Sequence, residues 1–121
     1  MKTAKSFQDV GIWQKAHQWV LDIYKLTADF PRHEQFGLTS QLRRAAVSVP
    51  ANFAEGFRKR GILDKVRFYN IAQGSIAESQ YYLILAKDLG YADTAGLLDN
   101  LVEIDVMLDA YVRKMRTEES R

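Results

Sequence analysis

The sequence predicts an all-α protein: an antiparallel up-down four-helix bundle with its second helix kinked at Pro50. Three observations predict it. Four long helical stretches can be read, and in the first and the last apolar residues recur at alternating spacings of three and four, the period of one helix face. Short breaks carrying Pro or Gly divide those stretches, and 7 Gly and 2 Pro are too few for the many turns of a β-sandwich. A length of 121 residues fits one domain, 1–121, rather than two.

The first helix is expected over about 11–29. Ile12, Ala16, Trp19, Ile23 and Leu26 form its stripe, widened by Trp13, Val20 and Tyr24. Phe30-Pro31 ends it, because the residue before proline is pushed out of helical conformation. The second helix, about 39–56, starts at Thr39 or Ser40 as cap. It carries Leu42, Ala45, Ala46, Val49 and Phe53 and stops at Gly56, a candidate left-handed C-cap. Pro50 removes the hydrogen bond to the Ala46 carbonyl, which predicts a bend. The alternative is a true break with Ser48 capping a new helix; apolar spacing that continues across Pro50 favours the kink.

The third helix, about 63–89, has Asp64 where an acid favours a helix N-terminus, and Gly90 ends it. Asp93 or Thr94 caps the fourth, about 94–116. There Leu97, Leu101, Ile104, Leu108, Tyr111 and Met115 fall at spacings of 4, 3, 4, 3 and 4, a heptad seam suited to shallow bundle packing.

The third helix also bears on assembly. Residues 81–86, Tyr-Tyr-Leu-Ile-Leu-Ala, cover every direction around the axis, whereas a bundle helix needs one apolar stripe. Tyr81, Tyr82, Ile84 and Leu85 are therefore candidate oligomer-interface residues, since apolar patches of that length are uncommon on monomers. Gly74 costs about 1 kcal/mol against Ala in a helix interior, and close helix packing is the simplest compensation. The competing reading has this helix central in its own bundle.

Hydrophobic residues make up 47% and charged residues 26%, a globular rather than disordered composition. No cysteine is present, which excludes disulfides, thiolate zinc sites and cysteine catalysis. The opening MKTAKSFQDVG has lysines but no apolar segment, so a signal peptide and a membrane span are not expected and the cytoplasm is the default.

Net charge is only +2, but it is segregated. From Gln41 to Arg67 seven cations (Arg43, Arg44, Arg58, Lys59, Arg60, Lys65 and Arg67) face two acids, Glu55 and Asp64. From Ile84 to Val112 six acids face Lys87 alone. The basic segment is the candidate nucleic-acid-binding surface, because Arg grips phosphate well. The competing reading is solvated helix faces, or pairing of the acidic helix with the basic segment.

Catalytic chemistry is missing. Neither His17 nor His33 has a metal or catalytic partner in sequence, no Glu-x-x-His pair exists, and no serine has an adjacent histidine base. No catalytic residue, metal or cofactor is expected. Glu55 and Glu78 are expected to be partly buried and paired with arginines, Arg43 and Arg44 being the nearest supply.

Several stretches coincide with a known family. Residues 10–16, VGIWQKA, resemble a VWQKA opening. Phe30-Pro31, Glu34, Gly37-Leu38-Thr39 and Gln41-Leu42-Arg43-Arg44-Ala45 resemble FP..E..GLT.QLRRA. Residues 48–56, SVPANFAEG, resemble SIPANIAEG; Phe68-Tyr69, Ile71-Ala72-Gln73-Gly74-Ser75 and Glu78 resemble FL.IARGS..E; Leu89-Gly90-Tyr91 closes the match. Over about 7–91 the chain resembles the four-helix bundle family encoded in bacterial 23S rRNA intervening sequences, also called S23 ribosomal protein-like. It is similar to the accessory variability proteins of diversity-generating retroelements. The resemblance implies a ring-like homopentamer, no established enzymatic activity, and RNA, DNA or a reverse transcriptase as partner. It makes Arg43, Arg44, Asn52, Glu55, Gly74, Ser75 and Glu78 family-pattern positions. Gln73 stands where the family usually has Arg. The function expected is a non-enzymatic, homo-oligomeric nucleic-acid-binding accessory protein. The alternative is a protein–protein scaffold whose charges serve docking.

Overall fold

A computed structural model describes residues 4–119, and all regular structure within them is helical. Four helices follow in order: α1 (Gly11–Thr27), α2 (Leu38–Arg58), α3 (Ile62–Asp88) and α4 (Ala95–Glu119). Single 3-10 turns at Phe7–Asp9 and Arg32–Glu34 precede α1 and α2.

Side-chain pairs fix how the helices lie. Gln41 meets Tyr82, Ser48 meets Ser75, and Gly56 lies under Tyr69, so α2 and α3 run in opposite senses. Tyr69 meets Tyr111 and Leu83 meets Thr94 across α3 and α4. Lys15 meets Glu103 and Trp19 meets Leu97 across α1 and α4. One core runs through all four helices, with Trp19, Leu42, Phe53, Tyr69, Leu83 and Ile104 among its fully buried side chains. The Trp19 indole N–H donates to the Leu97 carbonyl at 3.0 Å, so the largest core residue is buried with its polar atom satisfied.

The heptad seam of α4 faces inward. Leu101, Ile104 and Leu108 are fully buried, and Leu97, Tyr111 and Met115 pack on the core from its edge. In α1, Ile12, Ala16, Trp19, Val20 and Ile23 are buried, but Tyr24 lies outside the stripe it was expected to widen.

The helix ends correct several expectations. The cap of α2 is neither Thr39 nor Ser40. Glu34 reaches over from the preceding turn, and its Oε1 accepts the Leu38 N–H at 3.1 Å. α4 is capped by Asp93, whose carboxylate accepts the Ala95 N–H, while Thr94 is buried and donates to the Leu83 carbonyl. α2 runs unbroken across Pro50, which excludes a second helix start at Ser48. It also runs past Gly56 to Arg58. Gly56 is no left-handed cap but a buried contact, where an added Cβ would lie 2.6 Å from Tyr69 Cε1. Gly90 does end α3. Its φ is +79°, with Tyr91 N–H donating to the Ala86 carbonyl and Gly90 N–H to that of Lys87. Glycine reaches that left-handed conformation without the Cβ penalty of other residues.

Small residues of α3 do bring helices together, but not at Gly74. Ala72, Ser75 and Ser79 are buried, and Ser75 donates its hydroxyl to Ser48 Oγ at 2.7 Å. Asn52 Nδ2 donates to the same oxygen and to the Ser48 carbonyl. Gly74 faces outward, with nothing within 4 Å of where its Cβ would be.

Candidate functional site

The expected basic segment divides into two patches. Arg43 and Arg44 lie in the first half of α2, whereas Arg58 to Arg67 surround the α2–α3 corner. Fourteen residues of helix separate Arg44 from Arg58, about 21 Å. The sequence brings these cations within one charge run; the rod of α2 holds them apart.

The corner is built around two phenylalanines. α2 ends at Arg58, and a three-residue connection through Lys59, Arg60 and Gly61 leads into α3. Lys65 comes back from the first turn of α3. Its ammonium donates to the Phe57 carbonyl at 2.7 Å and the Gly56 carbonyl at 3.3 Å. These carbonyls lie at the negative pole of the helix end, and that of Gly56 also accepts the Lys59 N–H at 3.2 Å. Burial lowers the Lys65 pKa from its ordinary value. Lys65 thus closes a helix and is the member of the set least available to a ligand. Lys59 and Arg67 both reach the Phe68 ring, at 5.0 and 5.3 Å from its centroid. Arg58, Lys59, Arg60 and Arg67 are all exposed. Tyr111 packs edge-on against Phe53 and Tyr69, which directs the last turns of α4, with Arg113 and Lys114, toward the same end of the bundle.

Among the described residues no acid of α4 bridges to this corner. Glu103 bridges to Lys15 of α1 at 2.7 Å, and Asp109 bridges to Arg113 within α4 at 3.1 Å. The Asp105 carboxyl is raised above its ordinary range, first by burial and then by Asp109. Asp22 and Asp93 line a hollow between α1 and α4.

At the other patch Arg43 is committed inside the protomer. Its Nε donates to Thr27 Oγ1 at 2.7 Å, its Nη2 to the Tyr24 carbonyl at 3.3 Å, and its guanidinium lies 4.5 Å over the Tyr24 ring. Arg44 points outward. Sequence reasoning missed the ring beside them. Phe36, in the turn before α2, is 90% exposed. The available signal was an aromatic residue in a polar break, outside every apolar period.

Glu55 and Glu78 are a correction. Both are exposed, neither pairs with Arg43 or Arg44, and Glu78 instead accepts the Tyr82 hydroxyl at 2.7 Å. The reason is the face each occupies. Ser48 meets Ser75, so Glu78 lies level with about Ala45 but turns to solvent and to Tyr82, while Glu55 is 11 residues, about 16 Å, along α2 from Arg44. No group of His, Asp and Glu suited to a metal forms among the described residues, and no helix there is long and apolar enough to cross a membrane.

The four candidate interface residues divide in two. Tyr82 and Leu85 pack against the protomer's own core. Tyr81 and Ile84 face outward at 59% and 48% exposure, in one stripe with Ile71, Gly74 and Ala77.

The family model for 23S rRNA-intervening sequence protein matches residues 8–110. A solved structure is also similar: a protein with unknown function from the S23 ribosomal protein family of Bacteroides thetaiotaomicron. The two share 21% identity and a TM-score of 0.78, over 84% of this chain and 97% of that one, a likeness of fold. No curated protein gives a match.

Proposed function

The chain belongs to the 23S rRNA-intervening sequence protein family, and on that premise we propose that it is a non-enzymatic, cytoplasmic, homo-oligomeric accessory protein that binds nucleic acid. The observation that carries the reading is the corner of exposed cations, Arg58, Lys59, Arg60 and Arg67, with no acid bridged to it among the described residues. Cations around a phenylalanine grip phosphate without needing a pocket. Arg44 extends the basic surface along α2, while Lys65 and Arg43 hold the scaffold. Copies assembled into a ring, a pentamer by family resemblance, multiply each corner on a shared surface.

The test is a salt titration of binding to a structured RNA and a DNA duplex. Changing Arg58, Lys59 and Arg60 together to Ala lowers affinity and flattens the salt slope by about one per lost phosphate contact. Absence of binding at low salt, or binding indifferent to the triple change, overturns the reading.

A second reading is favoured by the outward stripe of α3 and by Val102 and Val106, both exposed on α4. It is a scaffold that docks a partner protein such as a reverse transcriptase, with co-purification after nuclease treatment as its signature.

A further inference from the structure

We propose that the groove between α1 and α2, away from the α2–α3 corner, is a stacking site for unpaired bases of a single-stranded nucleic acid. This rests on the nucleic-acid reading above and names the form of nucleic acid and a second place it is held. The groove encloses about 550 Å³ and is lined by Tyr24, Phe36, Arg43, Arg44 and Val47 among others. A smaller hollow adjoins it, shares Arg43 and adds Arg32. No acid lines either one.

The chemistry of these groups narrows the ligand. Phe36 is 90% exposed, so its ring is open to a planar partner. Nothing in a polar turn requires a phenylalanine there. Tyr24 is 42% exposed and carries the Arg43 guanidinium over its ring, 4.5 Å from the centroid. The bonds from Arg43 to Thr27 and to the Tyr24 carbonyl fix that pair before any ligand arrives, so little side-chain freedom is lost on binding. Rings, a guanidinium plane and outward arginines without acids suit a chain of flat bases joined by phosphates. A duplex keeps its bases stacked on one another and offers this groove only its backbone. A second copy of the chain suits it less well. The acids of α4 are partly engaged within the protomer, by Lys15 and Arg113, and the apolar stripe of α3 is the better contact between copies.

The experiment measures anisotropy of a short labelled oligouridine and of a duplex RNA, using the full chain. Phe36→Ala and Arg44→Ala each change an exposed side chain, and helical circular dichroism checks the fold. Phe36→Ala is expected to weaken oligouridine binding about tenfold and duplex binding by less than about twofold. Phe36→Trp retains the single-strand affinity. The Arg58, Lys59 and Arg60 triple change weakens both ligands. If Phe36→Ala and Arg44→Ala bind oligouridine as the parent does while the triple change does not, the groove is overturned and the corner stands. If the parent binds neither ligand, both readings fall. If Phe36→Ala disperses the assembly in sedimentation and leaves RNA binding intact, the groove is a contact between copies and the proposal is overturned.

Discussion

Replacing Gly56 by Ala sets two effects against each other. Inside a helix the added methyl recovers about 1 kcal/mol of propensity over glycine. At Gly56 it would lie 2.6 and 2.9 Å from Cε1 and Cδ1 of Tyr69, and 3.1 Å from Phe68 Cβ. Carbon–carbon contacts are comfortable at about 3.5–4.0 Å, so the ring or the helix must retreat by about 1 Å. Tyr69 has nowhere to go. It is fully buried, stacked on Phe53 at 5.1 Å between centroids and met edge-on by Tyr111. Overpacking of a filled core costs about 1–3 kcal/mol. The net expectation is a loss of up to about 2 kcal/mol, or up to about 8 °C in Tm for a chain of this size, and a protein about 1–3 kcal/mol less stable than one that gains the propensity without the clash. Gly74→Ala is the control, because its methyl meets nothing within 4 Å in the protomer. In dilute protein it gains up to about 1 kcal/mol. Urea unfolding followed by far-ultraviolet circular dichroism measures both. A Gly56→Ala protein stabilised as much as Gly74→Ala refutes the close-contact reasoning, since propensity alone would then rule both sites.

Acid sensitivity follows from Glu34. The Tyr91 hydroxyl first, then the Leu38 N–H, hold its carboxyl below the ordinary range. Its contribution is therefore present at neutral pH and lost as pH falls below the ordinary carboxylate value toward the lowered one. Glu34→Gln is expected to lower stability at pH 7 and to flatten its loss between about pH 5 and 3; an unchanged acid profile would refute the cap. Tyr69→Phe removes a buried hydroxyl that makes no well-formed hydrogen bond among the described residues, only the Tyr111 side chain facing it. It should leave stability equal or up to about 1 kcal/mol higher in urea melts. Tyr81→Glu with Ile84→Glu changes two outward side chains of α3, so helicity persists while sedimentation shows smaller species. Unchanged sedimentation would remove this stripe as the proposed contact between copies.

Helix number and inward faces were legible because both depend on local pattern. A seam such as Leu101, Ile104 and Leu108 has one way to be buried. Helix ends were less legible because their partners come from outside the helix. Glu34 caps α2 from the preceding turn, and no propensity of Thr39 or Ser40 competes with a carboxylate already anchored by Tyr91. Gly56 shows the same limit. A glycine one turn after a run of apolar residues suits a left-handed stop, and only the position of Tyr69 on α3 reveals that it is needed for its missing Cβ.

The candidate site was legible as charge but not as geometry. Seven cations within one segment give no hint that the α2 rod separates two of them from five, or that Lys65 and Arg43 are committed to backbone and ring. The two that are committed act as structural ties, and the exposed ones carry what affinity the surface has for anions. Burial and bonding, rather than sequence proximity, thus sort the set. The same sorting explains why Glu55 and Glu78 fail as buried acids. Each lies on the solvent side of its helix, where a carboxylate needs no arginine, and of the two arginines expected to neutralise them Arg43 instead braces Tyr24 beside an uncovered Phe36, while Arg44 points outward. A ring as exposed in the folded protein as in the unfolded chain adds nothing to stability, so what Phe36 offers beside the fixed guanidinium is an open apolar face for a ligand.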